Sequence, residues 1–181
     1  TGARNSIAMY ELCKREGRGL NCRFLAQVLS EMYLAMGFPS RFVTCQSKAY
    51  DTDTDCHVIN MVWSRQLGKW IWMDASFAAY VTDENGLLLH PGEVRERLIK
   101  GLPLVLNEDA NWNHKTKQTK EGYLENYMAK NLYMLDAHLE SRFETEPADG
   151  SGSPRMYLVP EGFWPLSGHT TYDDRYFWQA P

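Results

Sequence analysis

The most regular pattern in the chain runs from Asn21 to Met36, where Phe24, Leu25, Val28, Leu29, Met32 and Ala35 recur at three- and four-residue steps. That spacing predicts an amphipathic helix, opened by Asn21 as N-cap and stopped by Gly37 and Pro39. A shorter helix is predicted over residues 4–15, with Ile7, Ala8 and Leu12 turned inward and Glu16-Gly17-Arg18-Gly19 ending it. The period then changes. Arg41–Cys45 reads as a strand, Ser47–Asp55 as a polar loop, and His57–Ser64 and Lys69–Ala75 as two strands joined in a hairpin across Arg65-Gln66-Leu67-Gly68. Alternation along the first of these two sets Val58, Asn60 and Val62 on one face, and Ile59, Met61 and Trp63 on the other.

Further on, Val81–Leu88 reads as a smaller hairpin turning at Asn85-Gly86, and Pro91–Lys100 as a helix with Pro in its first turn and Gly101 at its end. Residues 102–106 are a short apolar run, and residues 107–120 a polar surface loop. A helix is predicted over 121–132, a strand over 133–143, a loop or hinge over 146–154 and a last strand at Met156–Val159. The aromatic tail to Pro181 has no clear period, and no internal repeat is visible. Helices mixed with hairpin-connected strands predict an α+β fold. At 181 residues the chain suits one well-packed domain. Residues 1–146 are read as the domain that carries the chemistry, and 147–181 as an extension packed on it.

Composition narrows the function. With 44% apolar and 23% charged residues and a net charge of −4, the chain has no Lys/Arg cluster dense enough for a phosphate backbone, so nucleic acid is not expected as a partner. No apolar run approaches the roughly 18 residues of a membrane span. Thr1-Gly2-Ala3-Arg4 has no initiator Met, so a removed leader or a preceding N-terminal region is expected. With a leader removed the destination is the periplasm or cell surface, and otherwise the cytoplasm. The four cysteines show no CxxC or zinc spacing, and free thiols are favoured over a Cys45–Cys56 disulfide. Asp51, Asp53 and Asp55 alternate, yet the Gly and Glu of a calcium loop are missing, so no metal or cofactor is expected.

The candidate chemistry begins at Cys22, in the predicted first turn of a helix. There the unsatisfied N–H groups and the positive dipole end lower a thiol pKa. Alone, such a residue reads as a small buried hydrophobe. His57 opens one strand and Asp74 closes the next, and each alone has an equally ordinary reading, as a satisfied strand histidine and a turn cap. Together they form the set a cysteine nucleophile needs: thiol, general base and a carboxylate that orients the base. Trp63, Trp70 and Trp72 flank the pair; Trp63 and Trp72 are expected to border a substrate groove, and sheet packing is the equally ordinary reading for two of the three. Asn111-Trp112-Asn113-His114 is another loop able to border a cleft, and it is not counted in the site. His90, His114, His138 and His169 have no assigned partners.

Gly19-x-Asn21-Cys22-Arg23-x-x-Ala26, Met36-Gly37-Phe38-Pro39-Ser40-Arg41-Phe42-Val43, His57-Val58-x-Asn60-x-Val62-Trp63 and Gly68-Lys69-Trp70-x-Trp72-x-Asp74 together resemble the transglutaminase-like superfamily, in its bacterial type. The resemblance covers residues 17–80. It implies a papain-like fold with the nucleophile helix packed on an antiparallel sheet, Cys22 as nucleophile, His57 as base and Asp74 as orienting acid. Two departures stand out. Ala75-Ser76 follows Asp74 where the family often has Pro, and no Trp precedes Cys22, where animal transglutaminases supply an indole oxyanion donor. Calcium dependence does not carry over. The expected activity is cysteine-dependent acyl transfer from a peptide or protein amide to water or to an amine. The alternative is an inactive peptide- or glycan-binding module of the same fold.

Overall fold

The computed structural model describes residues 2–163 and 169–181. Two helices open the chain. In α1 (Ser6–Glu16), Asn5 caps the N-terminus by accepting from Ala8 N at 2.9 Å, and Gly17 ends it in the left-handed region at φ 62°. In α2 (Cys22–Ala35), Asn21 Oδ1 accepts from Phe24 N at 3.0 Å, as the sequence predicts.

Strands β1 (Ser40–Gln46), β2 (Cys56–Ser64) and β3 (Lys69–Met73) follow, with β2 and β3 in the expected hairpin and Ser64 opposite Lys69. Next come β4 (Val81–Thr82), α3 (Pro91–Lys100), β5 (Val105–Leu106), β6 (Asn111–Trp112) and β7 (Thr116–Lys117). A π-helical run, Glu121–Met128, leads into α4 (Ala129–Asn131), and the chain ends with β8 (Met134–His138), β9 (Arg155–Leu158), β10 (His169–Thr171) and α5 (Asp174–Phe177). The main sheet has six strands in the order β10-β9-β8-β1-β2-β3, antiparallel except for the β9–β10 pair. The fold is α+β.

The sheet is covered on both faces. On one, Ala26 of α2 packs with Phe42 and Val58, and Asn60 Nδ2 donates to the Ala26 carbonyl at 2.6 Å. The other face carries the larger core, where Val43, Cys45, Ile59, Met61, Leu135 and Leu158 meet Val94 of α3 and Tyr123, Leu124 and Met128 of the π-helical run.

The helices are rotated from the expected faces. Ile7 is 67% exposed and Met9 is the buried residue of α1. In α2 the apolar stripe is half-buried, Met32 is 54% exposed, and Gln27, Ser30 and Glu31 are buried with Ala26. Backbone groups explain this: the Glu31 carboxylate accepts from Ser6 N at 2.6 Å and Glu144 N at 2.8 Å, and Gln27 Nε2 donates to the Arg4 carbonyl. The polar side of α2 is therefore the side that ties down α1 and the 139–154 loop.

Smaller differences have local causes. Gly86 turns the 81–88 segment at φ 81°, but β4 pairs with β5 as well, and residues 107–120 contain the β6–β7 hairpin. The 133–143 strand stops at His138. The aromatic tail falls partly outside the described residues; its described part includes β10 and α5. All four cysteines are free, Cys45 and Cys56 included. Among the described residues no helix is long and apolar enough to cross a membrane.

Candidate active site

Three elements converge at the N-terminus of α2. Cys22 is its first residue, His57 the second residue of β2, and Asp74 follows directly on β3. The β2–β3 register pairs Asn60 with Met73, so Asp74 lies diagonally across from His57. The chain turns sharply there. Asp74 and Ala79 exchange backbone hydrogen bonds at 2.8 and 3.1 Å, with Ala78 between them at φ 46°. This turn brings Asp74 Oδ2 to 2.6 Å from His57 Nε2.

The carboxylate is fully engaged. Oδ1 accepts from Ser76 N at 2.8 Å and Phe77 N at 3.1 Å, and Oδ2 also accepts from the Tyr123 hydroxyl at 2.6 Å. Tyr123 in turn accepts from Trp72 Nε1 at 3.2 Å. A buried carboxylate is tolerated only when it is bonded in this way. Because it only accepts, His57 Nε2 carries a proton toward it, and Nδ1 is the nitrogen left for Cys22. The imidazole is buried, with Phe77 and Tyr127 edge-on to it at centroid distances of 5.2 and 5.5 Å.

The electrostatics make a pair. Burial pushes the Cys22 thiol up, but the hydrogen bond and charge of His57, with backbone bonds from Val58 and Arg23, outweigh it and hold the thiol below its usual 9.0. Burial likewise pulls His57 down, and the charge and hydrogen bond of Asp74, aided by Cys22, raise it to about 9. The two shifts run in opposite directions, and each favours the thiolate beside the imidazolium.

A cleft of about 400 Å³ opens over the pair, lined by Leu20, Leu25, Phe77, Trp112 and Tyr127 on its apolar side and by Asn21, Asp55 and Asn113 among its polar groups. A larger cavity, about 850 Å³, is lined by residues such as Leu98, Ile99, Leu132 and Tyr172, and touches neither Cys22 nor His57. Cys22 and His57 line the smaller one.

Trp63 and Trp72 are corrections, since neither lines the cleft. Trp72 is wholly buried behind the Asp74 carboxylate, where its indole holds Tyr123, and Trp63 packs edge-on to Trp70 at 5.4 Å. The residues that do border the cleft include Trp112 and Asn113, from the polar-aromatic loop left out of the site. Tyr123 and Tyr127 were also missed. Their spacing of four within one helical run is the signal that both project from neighbouring positions on it.

Asp53 and Asp55 are tied to Lys130 at 3.1 and 2.7 Å, and among the described residues no group of three or more His, Cys, Asp or Glu is placed to hold a metal. His138 has partners after all. Its Nε2 meets Glu146 Oε1 at 2.8 Å, and the same carboxylate receives Arg23 Nη1 at 2.8 Å and Arg155. Arg23, next to Cys22, is thereby anchored to the 139–154 loop.

Residues 3–75 match the model of the transglutaminase-like superfamily, the family whose motifs the chain resembles. The matched segment carries Cys22, His57 and Asp74 and ends one residue past Asp74. No curated protein and no solved structure matches the chain.

Proposed function

We propose, with a transglutaminase-like segment over residues 3–75 as premise, that the protein is a cysteine-dependent acyl-transfer enzyme of papain-like type acting on a peptide or protein amide. The observation that carries this reading is the linked set: a thiol held below its usual value, an imidazole raised to about 9, and a carboxylate 2.6 Å from that imidazole. The Cys22 thiolate attacks the amide carbon. His57 Nδ1–H gives its proton to the departing nitrogen, which leaves as ammonia or an amine, and a thioester remains. Water or an amine then attacks the thioester, His57 takes the incoming proton, and the carbonyl passes to the acceptor. Asp74 keeps the imidazole in the required tautomer and stabilises its charged form. The Cys22 N–H, in a first turn without intrahelical acceptors, supplies one oxyanion donor.

Hydrolysis of a peptide or protein amide is the favoured outcome, and transfer of a glutamine acyl group uses the same thioester. An apolar wall with Asn21, Asn113 and Asp55 at its border suits an extended peptide. Strands β9 and β10, which extend the main sheet, support reading 147–181 as part of the same packed unit. The non-catalytic binding module is the second reading, favoured by the absence of a Trp from residues 1–21. A glutamine-containing peptide, supplied with and without a primary amine, separates them. The enzyme releases ammonia or an amine-bearing fragment, and Cys22→Ala and His57→Ala release neither; equal release by Cys22→Ala would refute the reading.

A further inference from the structure

Cys56 shares the cleft with Cys22. Both line it, both are half-buried and both are free thiols. The register of α2 on the sheet explains the proximity. Ala26 sits over Val58 and Asn60, and Cys22, one helical turn earlier, packs on the same small cluster as Val58 and takes a backbone bond from it. Cys56 is two residues before Val58, so its side chain leaves the same face of β2. It therefore projects just beyond the N-terminal end of α2, where Cys22 opens onto the cleft. Cys45 leaves the opposite face and is wholly buried in the large core, and Cys13 lies on α1.

We infer that Cys56 is a resolving thiol for Cys22: once Cys22 is oxidised, the two close into a reversible disulfide inside the cleft. The inference rests on the reading of Cys22 as a thiolate nucleophile and adds a modification to that site. With hydrogen peroxide as oxidant, the Cys22 sulfur attacks one peroxide oxygen, an S–O bond forms, the O–O bond breaks and water is released. Sulfur is oxidised by two electrons to the sulfenic acid. The Cys56 sulfur then attacks the Cys22 sulfur, an S–S bond forms, the S–O bond breaks, and the hydroxyl leaves as water with the Cys56 proton. A dithiol reductant returns both thiols by exchange.

The two cysteines have different electrostatics, which sets the order of events. Burial and the neighbouring Cys22 charge both push the Cys56 thiol up, while Cys22 is held down by His57, so Cys22 reacts with the oxidant first. Closure needs Cα atoms within about 7 Å. Cys56 can yield toward it, because it begins β2 directly after the polar 47–55 loop and its ladder partner Gln46 is the last residue of β1.

The experiment treats the whole protein with hydrogen peroxide, blocks remaining thiols, and maps peptides by mass spectrometry without reductant. The expected result is a crosslinked pair of peptides carrying Cys22 and Cys56, with the four free thiols reduced to two. Dithiothreitol restores Cys22 alkylation. In Cys56→Ser, Cys22 is carried on to sulfinic acid and dithiothreitol does not restore it. Cys56 found free after peroxide, or wild type and Cys56→Ser losing Cys22 irreversibly to the same extent, overturns the inference. Alkylation of untreated Cys22 below the usual thiol range is the control for the underlying reading. If that control holds and the crosslink does not form, only the redox role falls; if the control also fails, both fall.

Discussion

Replacing Asp74 by Asn tests the coupling at the centre of the site. His57 stands at about 9 although burial alone would pull it under its ordinary 6.5. The net rise from 6.5 to about 9 is alone worth about 3 kcal/mol, with Asp74 the larger contributor. Asn keeps an oxygen for Ser76 N and Phe77 N, so the 74–79 turn has its anchors. Its amide N–H₂ now faces His57 Nε2, which must accept, and the ring proton moves to Nδ1 in a neutral imidazole. That tautomer points a proton at Cys22 and cannot take one from it. If about half of the coupling reaches Cys22, the thiolate fraction at any pH below the wild-type midpoint falls about tenfold. The assay is the rate of iodoacetamide addition to the Cys22 peptide across pH, read by mass spectrometry so that the other cysteines do not contribute. Thermal melts confirm that the variant is folded. A folded Asp74→Asn protein with the wild-type profile would refute the argument.

Other perturbations have equally definite outcomes. Tyr123→Phe removes a hydroxyl bonded to Asp74 and leaves Trp72 Nε1 buried without a partner, so stability drops by about 1–3 kcal/mol in denaturant melts. Its Cys22 midpoint does not rise, because the Asp74 carboxylate that holds His57 Nε2 remains in place. Cys22→Ala exposes the His57 linkage. A group raised in the folded state stabilises fully below its unfolded 6.5 and loses that contribution as pH rises through its folded value. Without Cys22, which helps to raise His57 to about 9, that folded value is lower, so this variant loses stability from about 6.5 upward and completes the loss below 9. Wild type is flatter there, because the lowered Cys22 thiol contributes with the opposite slope. Glu146 is pushed up by burial and pulled down further by His138, Arg23 and Arg155, to about 2. Its contribution is present above its ordinary 4.5 and is lost as pH falls toward about 2, so the melting temperature of Glu146→Gln falls less steeply over that range.

The parts of the site legible in the sequence are those set by one element each. Cys22 follows a capping Asn at a helix start, and His57 and Asp74 bracket a hairpin whose register local alternation determines. Tyr123 is invisible to that logic, since it lies 49 residues from Asp74 and reaches it only through the packing of the π-helical run. The rotation of α2 is not legible in periodicity, which reports a helix and its stripe, whereas Gln27 and Glu31 turn inward to satisfy distant backbone N–H and C=O groups. Its place beside Asp74 in the sequence makes Trp72 read as a groove residue. Two-residue alternation puts it one step from the carboxylate on the core side, where it supports the site from behind. Trp112 and Asn113 reach the cleft through a loop hairpin with no long-range sequence signal.

The central claim is a covalent acyl-enzyme at Cys22. Its most direct measurement is mass spectrometry of the protein incubated with a glutamine-containing peptide and quenched in acid, which preserves a thioester. A mass increase equal to the peptide less ammonia, located on the Cys22 fragment, removed by hydroxylamine and missing in His57→Ala, is the predicted result. Ammonia release with the adduct on another residue, or release that persists in Cys22→Ala, would contradict it.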